Sequence, residues 1–163
     1  MEAFTQEILK ARVIYDPETG IFTWRVHKRI GWIGCRAGGT RADVYNYMMI
    51  GKKKISCHRL AWLYVHGVWP KNEIDHVNGV KSDNRIENLR EATRSQNNQN
   101  LKRAKSSNKS GFLGVRWEAD RKRWTSRIMV SGKNKTIGRF GTAEEAHLAY
   151  IAAKRKLHPF CEL

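Results

Sequence analysis

The chain has 163 residues, of which 40% are hydrophobic, and it carries a net charge of +16 with an isoelectric point near 10.2. This hydrophobic content supports a folded core and excludes global disorder, and the length fits one ordinary domain or two small ones. The charge predicts a polyanionic partner, with nucleic acid as the first candidate and an anionic membrane surface as the second.

Two features argue against the membrane alternative. No apolar run approaches the roughly 18–20 residues of a spanning helix, and residues 1–4 (Met-Glu-Ala-Phe) lack a basic-then-apolar signal pattern.

The three cysteines, Cys35, Cys57 and Cys161, form no Cys-x-x-Cys pair, so they indicate neither a zinc knuckle nor a disulfide framework. We therefore expect a protein of the reducing cytoplasm.

The first 70 residues show signals for strands and turns, followed by one short helix. Residues 15–20 contain a proline and a glycine and predict a turn, and residues 21–25 after them are strand-like. Residues 44–50 and 54–58 flank a Gly-Lys-Lys tip and predict a β-hairpin. Residues 58–67 then change to a helical period that ends at a glycine.

The aromatic and basic side chains of this region have a structural and a functional interpretation. We expect the tryptophans to lie in the core, because a small domain needs such bulk; they are Trp24, Trp32, Trp62 and Trp69. His58 is better explained as a buried or hydrogen-bonded structural residue than as a ligand. The basic tip at Lys52–Lys54 could contact phosphates or could be an ordinary solvated turn.

Residues 71–104 contain a dense set of polar groups at regular spacing. Asp75 and His76 are followed by Asn88, twelve residues after the histidine, and by Asn97, nine residues later. The segment predicts a strand at 73–77, a loop that begins with Asn-Gly, and a short second strand at 85–90. Thr93 and Gln96 form a capping box, which predicts a helix that runs to about residue 103.

The residue types in this segment suit phosphodiester hydrolysis. A histidine can accept a proton from water near neutral pH, because its ordinary pKa is about 6.5. Aspartate and asparagine offer hard oxygen ligands to Mg²⁺ and leave positions for water and phosphate oxygens. Arg94 lies one helical turn before Asn97 and can clamp a phosphate oxygen through its planar guanidinium.

This spacing resembles that of the phage and intron-encoded His-Asn-His (HNH) endonucleases of the homing type that carry asparagine in the last position. The segments H-R-L-A-W-L-Y-x-x-G, I-D-H-x-N-G and D-N-R-I-x-N-L-R resemble the same family, over about residues 15–104. The resemblance implies a ββα-metal fold in which Asp75 and Asn97 bind Mg²⁺ or Mn²⁺. It also implies that His76 is the general base. Asn88 is implied to hold the loop and to orient His76.

Arg94 matches a position at which this family often carries a phosphate-binding arginine. The alternative for the segment is a decayed nuclease that is kept for binding. Every polar group expected from the family is present in the sequence, which favours an active enzyme.

The charge is concentrated toward the end of the chain, where residues 101–163 have a net charge of +10 and residues 1–100 only +6. Residues 101–111 are basic, rich in serine and without a hydrophobic period, which predicts a linker. Its Lys102 and Arg103 are candidates for phosphate contacts, although a merely solvated tether is an equal possibility.

The last part of the chain predicts three short strands and a helix. The strands are expected at 110–117, 123–130 and 135–140, with tight turns between them. Thr142 and Glu145 form a second capping box, and an alanine stripe follows at helical spacing. One side of the sheet is expected to be apolar, and the other is expected to carry Arg116, Arg123 or Trp124, Arg127 and Arg139.

The segments G-V-R-W, W-T-S-R-I and I-G-R-F-G-T-A-E-E-A-H-x-A-Y-x-x-A resemble the AP2 DNA-binding domain, over about residues 110–158. This resemblance implies a three-stranded sheet that reads the major groove of duplex DNA. The candidate DNA-binding residues are Arg116, Trp117, Arg123, Trp124, Arg127 and Arg139, together with Lys102 and Arg103 of the linker. The turn between the first two strands differs from that of plant AP2 domains, so no target sequence is implied.

Together these features predict an α+β protein with four segments. They are a β-rich extension with a short helix (1–70), an HNH ββα-metal unit (71–104), a basic linker (105–110) and an AP2-like domain with a three-stranded antiparallel sheet on one helix (111–163). The expected function is a Mg²⁺- or Mn²⁺-dependent endonuclease that nicks double-stranded DNA, as a monomer or homodimer, in the cytoplasm of a bacterium or phage-infected host. The alternatives are a DNA-binding regulator with an idle nuclease fold and a structure-selective or RNA nuclease.

Overall fold

The computed structural model describes residues 4–40, 44–104 and 107–162 of the chain. Residues 1–3, 41–43 and 163 lie outside the described residues, and so do residues 105–106 of the expected linker. Within the described residues, no helix is long and apolar enough to cross a membrane.

The chain forms two compact units, Met1–Arg94 and Ser95–Leu163. The described part of the first unit contains three small antiparallel sheets with the pairings β1–β2, β3–β4–β5 and β6–β7. Its elements in chain order are α1 Gln6–Arg12, β1 Val13–Asp16, β2 Ile21–Trp24, a 3-10 helix Ile30–Trp32, β3 Gly39–Thr40, β4 Asn46–Ile50, β5 Lys53–Ser56, α2 Cys57–His66, β6 Glu73–His76, a 3-10 helix Ile86–Asn88 and β7 Leu89–Ala92.

The predicted hairpin and the helix after it are confirmed. β4 and β5 pair across a turn at Gly51 and Lys52, and α2 ends at Gly67, whose φ of 76° is the left-handed value that glycine adopts without strain. The helix α1 was not predicted. It is only seven residues long and is preceded by the N-cap residue Thr5, whose hydroxyl accepts a hydrogen bond from the Ile8 amide at 3.5 Å.

One hydrophobic core serves the whole first unit. It joins residues of the helices and strands before residue 70 to residues of β6 and β7; its largest members include Leu9, Phe22, Met48, Leu60, Leu63, Ile74 and Leu89. Trp24, Trp62 and Trp69 pack against this core, as expected. The prediction for Trp32 is wrong, because its side chain is 47% exposed.

The strand–loop–strand–helix order predicted for residues 71–104 is confirmed, with shifted boundaries. The second strand begins at Leu89, because a 3-10 turn closed by the Asn88 amide on the Arg85 carbonyl (3.0 Å) precedes it. The helix after it, α3 Arg94–Gln99, begins directly after Thr93. It ends four residues before the predicted residue 103, where Asn97, Asn98 and Asn100 have low helix propensity.

In the second unit, an antiparallel sheet of order β10–β9–β8 packs on one helix. The elements are β8 Val115–Glu118, β9 Arg123–Val130, β10 Lys133–Phe140 and α4 Ala143–Leu157. The capping box of Thr142 and Glu145 is present at the start of α4. Ala146 of this helix is fully buried, because small side chains allow the helix to lie close to the sheet.

Candidate functional site

Asp75 and His76 lie side by side at the end of β6, and both are buried. Asp75 is paired in register with Arg90 on β7, and the Arg90 guanidinium donates to one carboxylate oxygen, Oδ2, from Nε at 3.0 Å and from Nη2 at 2.9 Å. This two-point contact fixes the orientation of the carboxylate. Arg90 was not singled out from the sequence; the observed register of β6 and β7 places it opposite Asp75.

His76 is contacted by Asn84, a buried residue of the loop between β6 and β7. The His76 Nε2 atom lies 3.4 Å from Asn84 Oδ1, and the Asn84 amide nitrogen donates to the Ser82 carbonyl at 3.3 Å. Because an amide oxygen only accepts hydrogen bonds, this orientation favours the tautomer with the proton on Nε2. In the neutral ring, Nδ1 is then the basic nitrogen. Burial lowers the pKa of His76.

Asn88 closes the loop between β6 and β7. Its Oδ1 accepts from the Asn78 amide at 2.9 Å, its Nδ2 donates to the Asp83 carbonyl at 2.8 Å, and its own carbonyl accepts from the Val77 amide at 2.9 Å. The loop is also held by Arg85, whose side-chain hydrogen bonds lower the pKa of Asp83 to about 2. These contacts hold the loop between β6 and β7; that Asn88 also orients His76 stays a prediction.

The turn between β1 and β2 supports the Asn84 segment from outside. The Tyr15 hydroxyl donates to the Asn84 carbonyl at 2.6 Å, and the Ile86 amide donates to the Pro17 carbonyl at 3.2 Å. Gly20 has a φ of 70°, and a Cβ at this position would lie 2.4 Å from backbone atoms of Asn84 and Arg85. Only glycine allows this close approach of the two backbones.

We expect Gly20→Ala to destabilise the protein by about 1–3 kcal/mol and to slow any catalysis that depends on Asn84. The added methyl group must displace the Asn84–Arg85 backbone. Urea unfolding measures the stability, and Gly51→Ala is the matched control, because Gly51 also has a positive φ (61°) but no neighbour within 4 Å of the added carbon. Equal losses in the two variants would contradict a role for the close contact.

His58 lies beside the Asp75–His76 pair and is half-buried. Its ring packs edge-on against that of His76, with 5.2 Å between centroids, and against Tyr45 at 5.4 Å. Its Nδ1 atom is buried and has no hydrogen-bond partner. Burial, with smaller contributions from His76 and Arg59, lowers the pKa of His58 to about 3.

The depressed pKa of His58 predicts a pH-dependent stability. The pKa of His58 is about 3 in the folded protein and about 6.5 when the chain is unfolded. Above pH 6.5 the residue is neutral in both states. Below pH 6.5 the unfolded chain binds a proton that the folded protein does not, which favours unfolding. We expect the free energy of unfolding to fall by up to about 1.4 kcal/mol per pH unit from this residue as the pH drops below 6.5. Urea titrations of wild type and His58→Phe measure it; equal slopes in both would contradict the assignment.

The other predicted metal and phosphate ligands lie on α3. Arg94 is its first residue and is exposed, and Asn97 is half-buried one turn later. The boundary between the two compact units falls directly after Arg94. Among the described residues, no group of three or more His, Cys, Asp or Glu side chains could hold a metal ion. The predicted metal site has a different composition, because it consists of one carboxylate, Asp75, and one amide, Asn97.

In the second unit, the strand register separates the predicted DNA-binding residues onto two faces. Arg116 and Arg139 are both paired with Thr125, so they share one face with Arg123 and Arg127. Trp124 is on the opposite face, where it packs on the core formed by Val115, Ala143 and Ala146. Trp117 is paired with Trp124 on the edge strand β8 and remains 45% exposed. Lys102 and Arg103 are exposed and follow α3.

Glu118 is the centre of the arginine face and was not predicted from the sequence. Its Oε2 accepts from Arg139 Nε at 2.8 Å and from the Thr125 hydroxyl at 3.0 Å, and its Oε1 accepts from Arg121 at 3.4 Å and lies 3.8 Å from Arg127 Nη2. The hydrogen bond from Arg139 is the main reason that the pKa of Glu118 is lowered to about 2. One carboxylate thus contacts two arginines of the sheet, Arg127 and Arg139, and Arg121 in the turn after β8.

The first unit thus carries a buried Asp-His pair on two paired strands that are followed by a helix, and the second carries an arginine-faced sheet packed on one helix. Comparison with known families agrees with both units: residues 56–99 match the HNH endonuclease family, and residues 110–158 match the AP2 domain. The chain belongs to the HNH endonuclease family and carries an AP2 domain in its second unit.

The chain is also similar to a protein of a phage. Protein 3.8 of Escherichia phage T7 is 31% identical to the chain over 102 residues, which are 62% of this chain and 83% of the phage protein. No solved structure matches the chain.

Proposed function

We propose that this protein is a divalent-metal-dependent endonuclease that hydrolyses phosphodiester bonds in duplex DNA and cuts one strand per active site. The observation that carries the proposal is the buried Asp75–His76 pair, in which Arg90 fixes the carboxylate and Asn84 fixes the imidazole. Buried polar side chains that hydrogen bonds hold in place before a substrate binds are typical of a preorganised catalytic site. The site would act in the cytoplasm of a bacterium or a phage-infected host.

His76 is proposed to act as the general base through Nδ1. It accepts a proton from a water molecule while the water oxygen bonds to phosphorus and the bond from phosphorus to the leaving sugar oxygen breaks. The leaving oxygen takes up a proton, so one DNA end carries the phosphate and the other a hydroxyl. The lowered pKa of His76 supports this role, because the ring is then neutral and able to accept a proton near neutral pH.

Asp75 and Asn97 are the proposed ligands of Mg²⁺ or Mn²⁺. The donor chemistry of Asp75 fits such an ion: it is a hard carboxylate donor, 5% exposed, and Arg90 holds it through Oδ2. That the Asn97 amide completes the same site is part of the proposal. A bound divalent ion would stabilise the charge that develops on the phosphate, and Arg94 would hold a phosphate oxygen at the start of α3.

The second unit is proposed to position the enzyme on the duplex. Arg116, Arg123, Arg127 and Arg139 share one face of a twisted antiparallel sheet, a surface that the major groove admits. Lys102 and Arg103 would add phosphate contacts. Trp117, exposed on the edge strand, is a candidate contact, whereas Trp124 supports the sheet from its buried side.

Incubation with supercoiled plasmid tests this function. With Mg²⁺ or Mn²⁺, the full-length protein should convert supercoiled DNA to the open circular form, and EDTA should prevent the conversion. Linear DNA as the first product would indicate a homodimer that cuts both strands. A lack of conversion with either metal would overturn the enzyme in favour of a DNA-binding regulator, and faster cleavage of branched DNA or RNA would replace the proposed substrate.

A further inference from the structure

The segment between β2 and β3 exposes an unusual amount of apolar surface. We call residues 25–36 the apolar loop. Ile30 is 83% exposed, Val26 60%, Ile33 49% and Trp32 47%. Ile30 and Trp32 are the end residues of a 3-10 helix, so they protrude from an ordered turn. A contiguous cluster of large apolar side chains in solvent is typical of a binding surface.

The apolar loop is anchored on the core of its unit. Backbone hydrogen bonds join Gly34 to the Trp24 carbonyl at 2.8 Å and Trp24 to the Cys35 carbonyl at 3.0 Å. The His27 ring lies between two tryptophans, 5.0 Å from Trp24 and 4.9 Å from Trp32, and is stacked on Trp32 at 13°. Because Trp24 itself packs on the core, this stack holds Trp32 in a fixed outward position.

The charge of the apolar loop indicates what its partner must be. Arg25, Lys28, Arg29 and Arg36 are all exposed, and the sequence has no acidic residue between Glu18 and Asp43. The Arg29 guanidinium lies over the Trp32 ring, 5.7 Å from its centroid. A partner that complements this surface is strongly anionic and also offers apolar planes. Nucleic acid has both properties, since phosphates flank stacked bases.

We propose that the apolar loop is a second DNA-binding element of this protein, which inserts Ile30 at a base step of the duplex and stacks Trp32 on an unstacked base. Its basic residues hold the flanking phosphates. Isoleucine wedges that open a base step bend DNA, and aromatic side chains bind bases by stacking. The inference rests on the proposed function, because it takes duplex DNA as the substrate. It adds that the protein bends the duplex that it binds. An anionic lipid surface is the other partner that such a surface fits, and it is less favoured because the same chain carries an AP2 domain.

The test uses the full-length protein with His76→Ala as the parent, so that DNA is bound and not cut. Ile30→Asp and Trp32→Ala are compared with Val68→Asp, an equally drastic change at a side chain that is 63% exposed in the same unit outside the loop. Fluorescence anisotropy measures the Kd for a labelled duplex, and energy transfer between dyes at the two duplex ends measures the bend. Vesicles of phosphatidylserine and phosphatidylcholine test the lipid alternative.

We expect each loop variant to weaken duplex binding by about tenfold and to reduce the bend, while Val68→Asp leaves both unchanged. The tryptophan emission of the parent should be quenched by DNA more strongly than that of Trp32→Phe. Loop variants that match the parent in Kd and bend would overturn the inference and leave the nuclease proposal intact. Loss of vesicle binding with an unchanged duplex Kd would overturn it in favour of a lipid surface. A parent and a wild type that neither bind nor cut duplex DNA would overturn both proposals.

Discussion

His76→Ala should reduce plasmid nicking by roughly 10²- to 10⁴-fold, the range for loss of a general acid–base group, with duplex affinity close to that of the wild type. The variant removes the nitrogen that accepts the water proton, whereas the basic residues proposed to bind DNA are untouched. Rates of conversion from supercoiled to open circular DNA, at saturating Mg²⁺, measure the effect. Anisotropy on the same duplex measures the affinity.

The buried position of His76 makes a stability control necessary, because truncation of a buried side chain costs stability by itself. Urea unfolding of His76→Ala measures that cost. His66→Ala controls for the loss of a histidine outside the site, because His66 is exposed on α2 in the same unit, and its loss should leave nicking unchanged. Asn84→Ala should reduce nicking less than His76→Ala does, because the base remains but loses the acceptor that orients it. Wild-type rates in His76→Ala, with the protein folded at the assay temperature, would show that His76 is not the base.

Replacing Arg116, Arg127 and Arg139 together by alanine should weaken duplex binding at least about a hundredfold, since a single good base contact contributes about 1–3 kcal/mol. It should also reduce the slope of log Kd against log salt by nearly one unit for each phosphate that these arginines neutralise in the wild type. These arginines share one face of the sheet, so they would act on the same duplex surface. A salt titration of Kd checks both expectations.

Two further variants separate the arginine face from a general effect of charge. Arg155→Ala removes an exposed arginine of α4 in the same unit and should change the salt slope little. Glu118→Gln keeps the shape of the side chain and removes the negative charge that now pairs with Arg127 and Arg139, so it should tighten binding to random duplex. An unchanged salt slope in the triple arginine variant would contradict the assignment of this face to DNA.

Several features of the fold could be predicted because their causes are local. The hairpin of β4 and β5 depends on a glycine turn between two short runs, and the start of α4 depends on Thr142 and Glu145, three residues apart. The end of α3 was predicted less well, because helix ends depend on weak propensities that neighbouring structure overrides. The exposure of Trp32 was predicted wrongly, since bulk alone suggested a core residue and its stacking partner His27 is not evident from spacing.

The sequence by itself determined the charge, the Asp-His pair with its two downstream asparagines, and the two family resemblances, all of which can be recognised from residue identity and spacing. Only the tertiary structure decided which side chains hold those residues in place. Arg90 contacts Asp75 because their strands pair. Asn84 contacts His76 from a loop whose backbone packs closely on Gly20. Glu118 contacts arginines of three separate segments. Such contacts arise when burial and backbone pairing bring distant residues together, and no local pattern in the chain encodes them.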